Sequence, residues 1–279
     1  MLSVQTNFPS LVAQNSVGQS NNGLNTAMER LSTGFRINSA ADDAAGLQIA
    51  NRLNANVTGM NTAQRNIGDA TSMLQTADGA LDEINNIAMR MKELATQSAN
   101  GVNSADDRNA LDAEFTELKA EVERIVDNTE FAGNKLFDQS ANSLTDKTNG
   151  VKFQIGAGTT ETLTVKLDVS TDKIDETIFT KNLKSAADST TTLGEVDKLI
   201  DNVGKARSSL GANINRLEHT SNNLANVSQN TQAASGRIMD ADFAAESAAM
   251  TKNQLLVQSG TNILSRANQN TNLVMGLLG

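Results

Sequence analysis

Apolar side chains recur along one stretch, Leu53 to Ala95, at alternating spacings of three and four. One register runs Leu53, Met60, Ile67, Leu74, Leu81, Ala88 and Ala95. The other runs Asn56, Ala63, Ala70, Ala77, Ile84 and Met91, with Asn56 its single polar exception. A 3.5-residue repeat keeps one narrow apolar line facing a partner helix, which is the seam of a coiled coil. No proline interrupts it, and Gly59, Gly68 and Gly79 each weaken a helix interior only slightly. A helix from about 44 to 98 would run roughly 80 Å. Such a helix cannot bury its seam alone.

The partner stripe opens near Leu193. Val196, Val203, Leu210, Leu217 and Leu224 recur every seven residues, interleaved by Leu193, Ile200, Arg207, Ile214 and Ser221. Between the two seams, Ser98–Val102 reads as a turn. Ser104 with Asp106 and Asp107 caps a further helix, whose stripe is Leu111, Phe115, Leu118, Val122 and Ile125. Residues 128–149 read as loop. The β-branched runs 151–155 and 162–169 flank Gly156–Thr160 as a hairpin, and 170–191 reads as loop with little structure. Gly236 is expected to break the second seam, with a final helix from about 241. Upstream, Val17, Leu24, Met28, Leu31 and Phe35 predict a helix over about 10–33 that ends near Gly34. Ser39 is a candidate N-cap, with Asp42 and Asp43 in the first turn of the long helix. The fold class predicted is mainly α: an elongated antiparallel helical bundle or coiled-coil rod with a small β-hairpin region and paired N- and C-termini.

Composition supports a thin-cored helical assembly. Aromatics are 3% of the chain, with no Trp, no Tyr and one Pro, whereas large cores lean on aromatic burial. The formal net charge of −9 argues against nucleic-acid binding by phosphate neutralisation. Without Cys there is no disulfide framework and no thiolate site. The N-terminal residues lack a cationic and apolar leader pattern, and no run of 18 apolar residues predicts a membrane span. Charge is distributed oddly. Residues 1–28 carry none, and from Gln254 to Gly279 the only charged residue is Arg266. Leu24 and Leu31 at one end, and Leu255, Leu256, Ile263, Leu264, Leu273 and Leu277 at the other, punctuate this uncharged background. Frayed termini are the ordinary alternative, but two uncharged apolar ends make better association surfaces than solvated tails.

Catalytic chemistry finds few residues. His219 is the one histidine, so a two-histidine zinc site is excluded by count. It lies on a helix without a strained nucleophile turn. Gly156-Ala157-Gly158 has no following helix and no Lys-Ser/Thr, so it is no phosphate cradle. Asp42–Asp43 and Asp106–Asp107 read as helix caps rather than cation sites. Asn56-Val-Thr58 and Asn226-Val-Ser228 match a glycosylation sequon, but both lie on or beside seams. No cofactor and no metal are expected.

Four stretches carry a resemblance. Arg30–Leu53 (RLSTGFRINSAADDAAGLQIANRL), Ala77–Gly101 (ADGALDEINNIAMRMKELATQSANG), Glu130–Leu136 (EFAGNKL) and Ser235–Met250 followed by LLVQSGTNILSRANQ together resemble bacterial flagellin over about 1–140 and 190–279. The resemblance implies a self-assembling flagellar filament subunit without catalytic activity, extracellular and exported through the flagellar channel, with an export chaperone and a filament cap as partners. It implies an inner coiled-coil domain from 1–43 and 236–279 and a surrounding domain from 44–235, without a large variable outer domain. RMKELATQSAN further resembles the patch bound by a Toll-like host innate immune receptor, which implies contact roles for Arg90, Leu94, Gln97 and Glu114. All of the first three lie off the seam, so Leu94 reads as an apolar residue the chain's own core does not need. Two alternatives stay open: a hook–filament junction protein of the same axial family, and a signalling coiled-coil module.

Overall fold

The computed structural model describes residues 6–138, 143–146, 150–167 and 180–278, with the side chains of 270–278 outside that description. Among the described residues five helices dominate: α1 (Phe8–Thr33), α2 (Ala44–Ser98), α3 (Ala105–Asn128), α4 (Ala186–Met239) and α5 (Phe243–Leu278). Two small hairpins accompany them, β1 (Glu130–Phe131) with β2 (Asn134–Lys135), and β3 (Val151–Gln154) with β4 (Thr162–Val165). The chain divides into two compact units, residues 56–229 and residues 1–55 with 230–279.

In the 56–229 unit the heptad arithmetic becomes burial. Met60, Ala63, Ile67, Ala70, Leu74, Ala77, Leu81, Ile84, Ala88, Met91 and Ala95 are all buried. Opposite them lie Val196, Val203, Leu210 and Leu217, also buried, while Leu224 is half-buried. Pairings fix α2 and α4 as antiparallel. Lys92 meets Asp197 at 2.6 Å, Arg207 Nε donates to Asp78 at 2.9 Å and also reaches Asp82, and Ser228 Oγ meets Asn61 at 3.4 Å.

The second register of α4 differs from expectation. Leu199 and Ala206 are buried at 1% and 2% exposure, whereas Leu193, Ile200 and Ile214 are half-buried flanks and Ser221 is likewise intermediate. Seam positions alternate by three and then four, so the partner of Val196 is Leu199 and not Ile200. Arg207 is therefore off the seam, and its neighbours Asp78 and Asp82 hold its guanidinium above the ordinary value, Asp78 foremost.

A third apolar line on α2 was not anticipated. Met73 and Leu94 are buried and Ala80 and Ile87 half-buried, again at sevenfold spacing. They join one buried cluster with Phe115, Val122 and Val126 of α3. The long helix thus has neighbours on two sides, and this corrects the placing of Leu94 outside the core.

Local chemistry explains the element ends. Gly34 closes α1 in the left-handed conformation (φ 78°), which glycine adopts without Cβ strain. The α2 cap is Asp43 and not Ser39. The Gly46 N–H donates to Asp43 Oδ1 at 2.9 Å, while Ser39 and Asp42 form a separate turn before the helix. Ser104 and Asp107 cap α3 reciprocally. α4 begins at Ala186, so 186–191 is helix where loop was expected. Ser185 and Asp188 exchange bonds across its first turn, and the polar Ser189 and Thr192 are buried and bonded, to Ser98 and the Asn182 carbonyl among others. Residues 168–179 of the expected loop and strand lie outside the described residues. Gly236 does not break α4, which continues to Met239. One helical glycine costs about 1 kcal/mol, and Ser235 beside it is buried and donates to Asn54 at 2.9 Å.

The β3–β4 hairpin sits on α2. Asn66 Nδ2 donates to the Gln154 carbonyl at 3.2 Å, and a Cβ at Gly59 would meet Ala157 Cβ at 2.9 Å. Glycine at 59 therefore costs helix propensity and makes room for the hairpin tip. Residues 128–149, read as loop, hold the tiny β1–β2 hairpin and the fully buried Leu136, Phe137 and Leu144.

Candidate functional site

In the unit of 1–55 with 230–279, α1 and α5 run antiparallel, pinned along their length. Asn7 Nδ2 donates to the Ala267 carbonyl at 3.0 Å and Ser10 Oγ to Asn268 at 2.9 Å. Further along, a Cβ at Gly260 would meet Val17 Cγ2 at 2.5 Å, and one at Gly23 would meet the Asn253 side chain at 2.8 Å. Arg30 then pairs with Glu246 at 3.1 Å, both side chains largely covered. At the far end the backbone takes over. The Arg36 N–H donates to the Met239 carbonyl at 2.6 Å and the Ala241 N–H to the Gly34 carbonyl at 2.9 Å.

Small residues and polar pins set this register, and large apolar side chains hardly enter it. Ala13, Ala27, Ile37 and Ala50 are the buried hydrophobics of this unit among the described residues. Leu24, Leu31, Leu53 and Leu264 are half-buried. Phe8, Leu11, Val12, Met28, Phe35, Ile49, Phe243, Leu255, Leu256 and Ile263 are exposed, from 43% for Ile49 to 71% for Phe8. Leu273 and Leu277 have side chains outside the described residues. Large apolar side chains thus lie uncovered on helices that carry few charges.

The α2–α3 face is of another kind. Arg90, Gln97 and Glu114 are exposed and Leu94 is buried at 1%. Arg90 donates from Nε and Nη2 to Glu114 Oε1 at 3.0 and 2.8 Å, and from Nη1 to Glu93 at 2.9 Å. The Glu114 carboxylate, with Glu93 behind it, holds the Arg90 guanidinium above its ordinary value. So the expected four-residue patch is three exposed polar groups, two of them bonded to each other, and a leucine buried in the core. Sequence reasoning missed the third bonded group, Glu93, whose i,i+3 spacing from Arg90 was a readable signal.

Among the described residues no group of three or more His, Cys, Asp or Glu side chains could hold a metal ion, and no helix is long and apolar enough to cross a membrane.

This arrangement defines a class: a helical structural subunit with a finished core at one place and an uncovered, register-pinned helix pair at its chain ends. Residues 4–142 match the bacterial flagellin N-terminal helical region, and residues 193–278 match the bacterial flagellin C-terminal helical region. A flagellin of Halalkalibacterium halodurans is 40% identical over 276 residues, covering 99% of both chains. The flagellar filament 33 kDa core protein of Treponema phagedenis is 36% identical over 285 residues, again covering 99% of each. The crystal structure of Bacillus cereus flagellin matches with a TM-score of 0.51 at 38% identity, covering 57% of this chain and 88% of that one. The chain belongs to the bacterial flagellin family. It is a structural subunit that self-assembles into the flagellar filament.

Proposed function

We propose that residues 1–43 and 236–279 are the assembly layer, in which the exposed apolar side chains of α1 and α5 are covered by other copies of this chain. The remaining residues, 44–235, supply a surrounding layer that folds on its own core. The observation that carries this reading is the exposure of Phe8, Leu11, Leu255, Leu256 and Ile263 on helices with almost no charge. The family relationship supports a structural subunit that works by packing. The family relationship supports export of the chain through the flagellar channel to an extracellular filament, with an export chaperone and a filament cap as partners on the way.

The Arg90, Gln97 and Glu114 face is assigned two roles by the same reasoning, contact with neighbouring subunits in the filament and with a host innate immune receptor in released monomer. Seeded polymerisation of a Leu255→Ser, Leu256→Ser variant, followed by electron microscopy, tests the assembly layer. The expected result is normal monomer helicity with the critical concentration raised by at least about tenfold, the equivalent of 1.4 kcal/mol. Filaments forming at the parent's concentration would refute it.

A further inference from the structure

The α2–α3 turn contains the pair Asn100-Gly101, one of three Asn-Gly pairs in the chain with 22–23 and 149–150. We propose that this turn is a self-modification site, built to convert Asn100 to aspartate and isoaspartate with water as the only co-reactant. In the reaction the Gly101 N–H gives its proton to solvent base and the nitrogen attacks Asn100 Cγ. A C–N bond forms, the Cγ–Nδ2 bond breaks and ammonia leaves, giving a five-membered succinimide. Water then opens that ring at either carbonyl, to aspartate or to the β-linked isoaspartate. The net change is gain of water and loss of ammonia, with no oxidant or reductant.

Both reacting centres carry hydrogen bonds that favour this step. On the nucleophile's side, Arg108 Nη2 donates to the Asn100 main-chain carbonyl at 2.9 Å, and the Asn103 N–H donates to it at 3.3 Å. That carbonyl belongs to the very peptide whose nitrogen must ionise, and a cationic donor on its oxygen stabilises the resulting anion. On the electrophile's side, the Val102 N–H donates to Asn100 Oδ1 at 3.3 Å. This bond polarises the side-chain amide and is placed to meet the charge that grows on Oδ1 as nitrogen adds. It also bends the amide back toward the backbone that carries the nucleophile.

The nucleophile's own N–H is free to ionise. Among the described residues the Gly101 N–H has no acceptor, and a Cβ at Gly101 would have no neighbour within 4 Å. Arg108 is itself fixed, donating from Nε to the Ser98 carbonyl at 3.0 Å and from Nη1 to the Asn103 carbonyl at 2.8 Å. Its position is thus set by the end of α2 and the start of α3. Asn22-Gly23 is the internal contrast. It lies inside α1, in helical backbone, with Gly23 against Asn253.

The product puts a new carboxylate beside Arg108, and isoaspartate lengthens the backbone of the turn. The Asn103 side chain, which holds the Gln97 carbonyl at 2.7 Å, then sits on an altered frame. Ageing of the protein is in this way written at the end of α2, three residues past Gln97.

The full chain is incubated at mildly alkaline pH, folded and in urea, and both sites are followed by peptide mass analysis. Expected is conversion at Asn100 about tenfold faster folded than in urea, less than a donor gains in a water-excluded site, and at Asn22 slower in assembled filaments, where α1 is helical, than in urea. Arg108→Gln should bring the folded rate at Asn100 down to the urea rate, with helix content checked by circular dichroism. A folded rate at or below the urea rate in the parent overturns the proposal, and so does an Arg108→Gln rate equal to the parent's. If the variant loses its helix content, the parent's folded-to-urea ratio still decides.

Discussion

In the unit of residues 56–229, Leu74, Leu81, Ile84, Met91 and Leu94 are each at most 1% exposed; in the unit of 1–55 with 230–279 the buried hydrophobics among the described residues are Ala13, Ala27 and Ala50, with Ile37 of the 34–43 connector the one large side chain. Both units are built from long helices with period-seven apolar patterns. They differ in what the patterns meet. α2 finds α4 on one side and α3 on another, so its large side chains are covered within the chain. α1 and α5 find each other through glycine, alanine and amide contacts, which bring backbones close and leave Phe8, Leu255 and Ile263 outside. Removal of apolar area from water is worth about 25 cal/mol per Å² wherever the covering surface comes from. A subunit with one unit self-covered and the other not can fold before it assembles.

The largest expected effect breaks the covered side. Leu81→Ala removes a 1% exposed side chain and should cost about 2–5 kcal/mol in denaturant unfolding of the monomer. Leu255→Ala, at a 62% exposed site, should change monomer stability by no more than about 0.5 kcal/mol while weakening assembly. Equal costs in the monomer would mean that the terminal unit is as complete internally as the other. Next in size is Gly260→Ala, whose added Cβ would strike Val17. Overpacking of this sort costs about 1–3 kcal/mol. Here it should appear in the melting of assembled filaments and leave monomer melting nearly unchanged.

Legibility followed the same division. The α2 seam could be read because a heptad needs only one partner to show itself, and eleven of its thirteen positions are buried; Leu53 is half-buried and Asn56 exposed. Leu94 could not be read from that arithmetic. Its burial depends on α3 lying against a second side of α2, which is tertiary information. The α4 start was hidden because Ser189 and Thr192 look like loop residues until their buried hydrogen bonds are seen. Gly236 misled in the other direction, since a single weak residue cannot end a helix whose neighbours are pinned. At the candidate contact face, Arg90, Gln97 and Glu114 were legible only through family resemblance, because exposed polar residues have no periodic signature.

A smaller effect is expected at that face. Arg90→Asp combined with Gln97→Ala removes two exposed groups and two exposed ion pairs, so monomer stability should hardly change. Receptor signalling and filament stability should both fall. Leu94 is left intact on purpose, because truncating a buried leucine would confuse unfolding with lost contact. A variant that assembles and signals like the parent would reduce the face to solvated surface.

The smallest effect offers the finest comparison, because each unit carries the same local lock. Hydrogen bonds from Ser39, with one from Asn38, pull the Asp42 carboxyl below the ordinary range near 4. Bonds from the Ser104 hydroxyl and N–H do the same for Asp107. A carboxyl depressed on folding contributes its stabilisation fully above the unfolded value, and that contribution is lost as pH falls through the lower, folded value. The Asp107 lock spans one turn of a capped helix in the self-covered unit, so it should hold in monomer and filament alike. The Asp42 lock stands on the 34–43 connector, whose backbone is tied to 239–241. Helices with so many Asn, Ser and Thr are marginal in water without partners. In monomer, therefore, the ends over 1–35 and 245–279 should be largely unfolded, and Asp42 should titrate closer to the ordinary range than Asp107. On polymerisation Asp42 should drop to join it. Carbon-13 NMR of the two carboxyls follows both through an acid titration. Equal depression in the monomer would show the connector closed before assembly, and the difference between the two units would then lie in their surfaces alone.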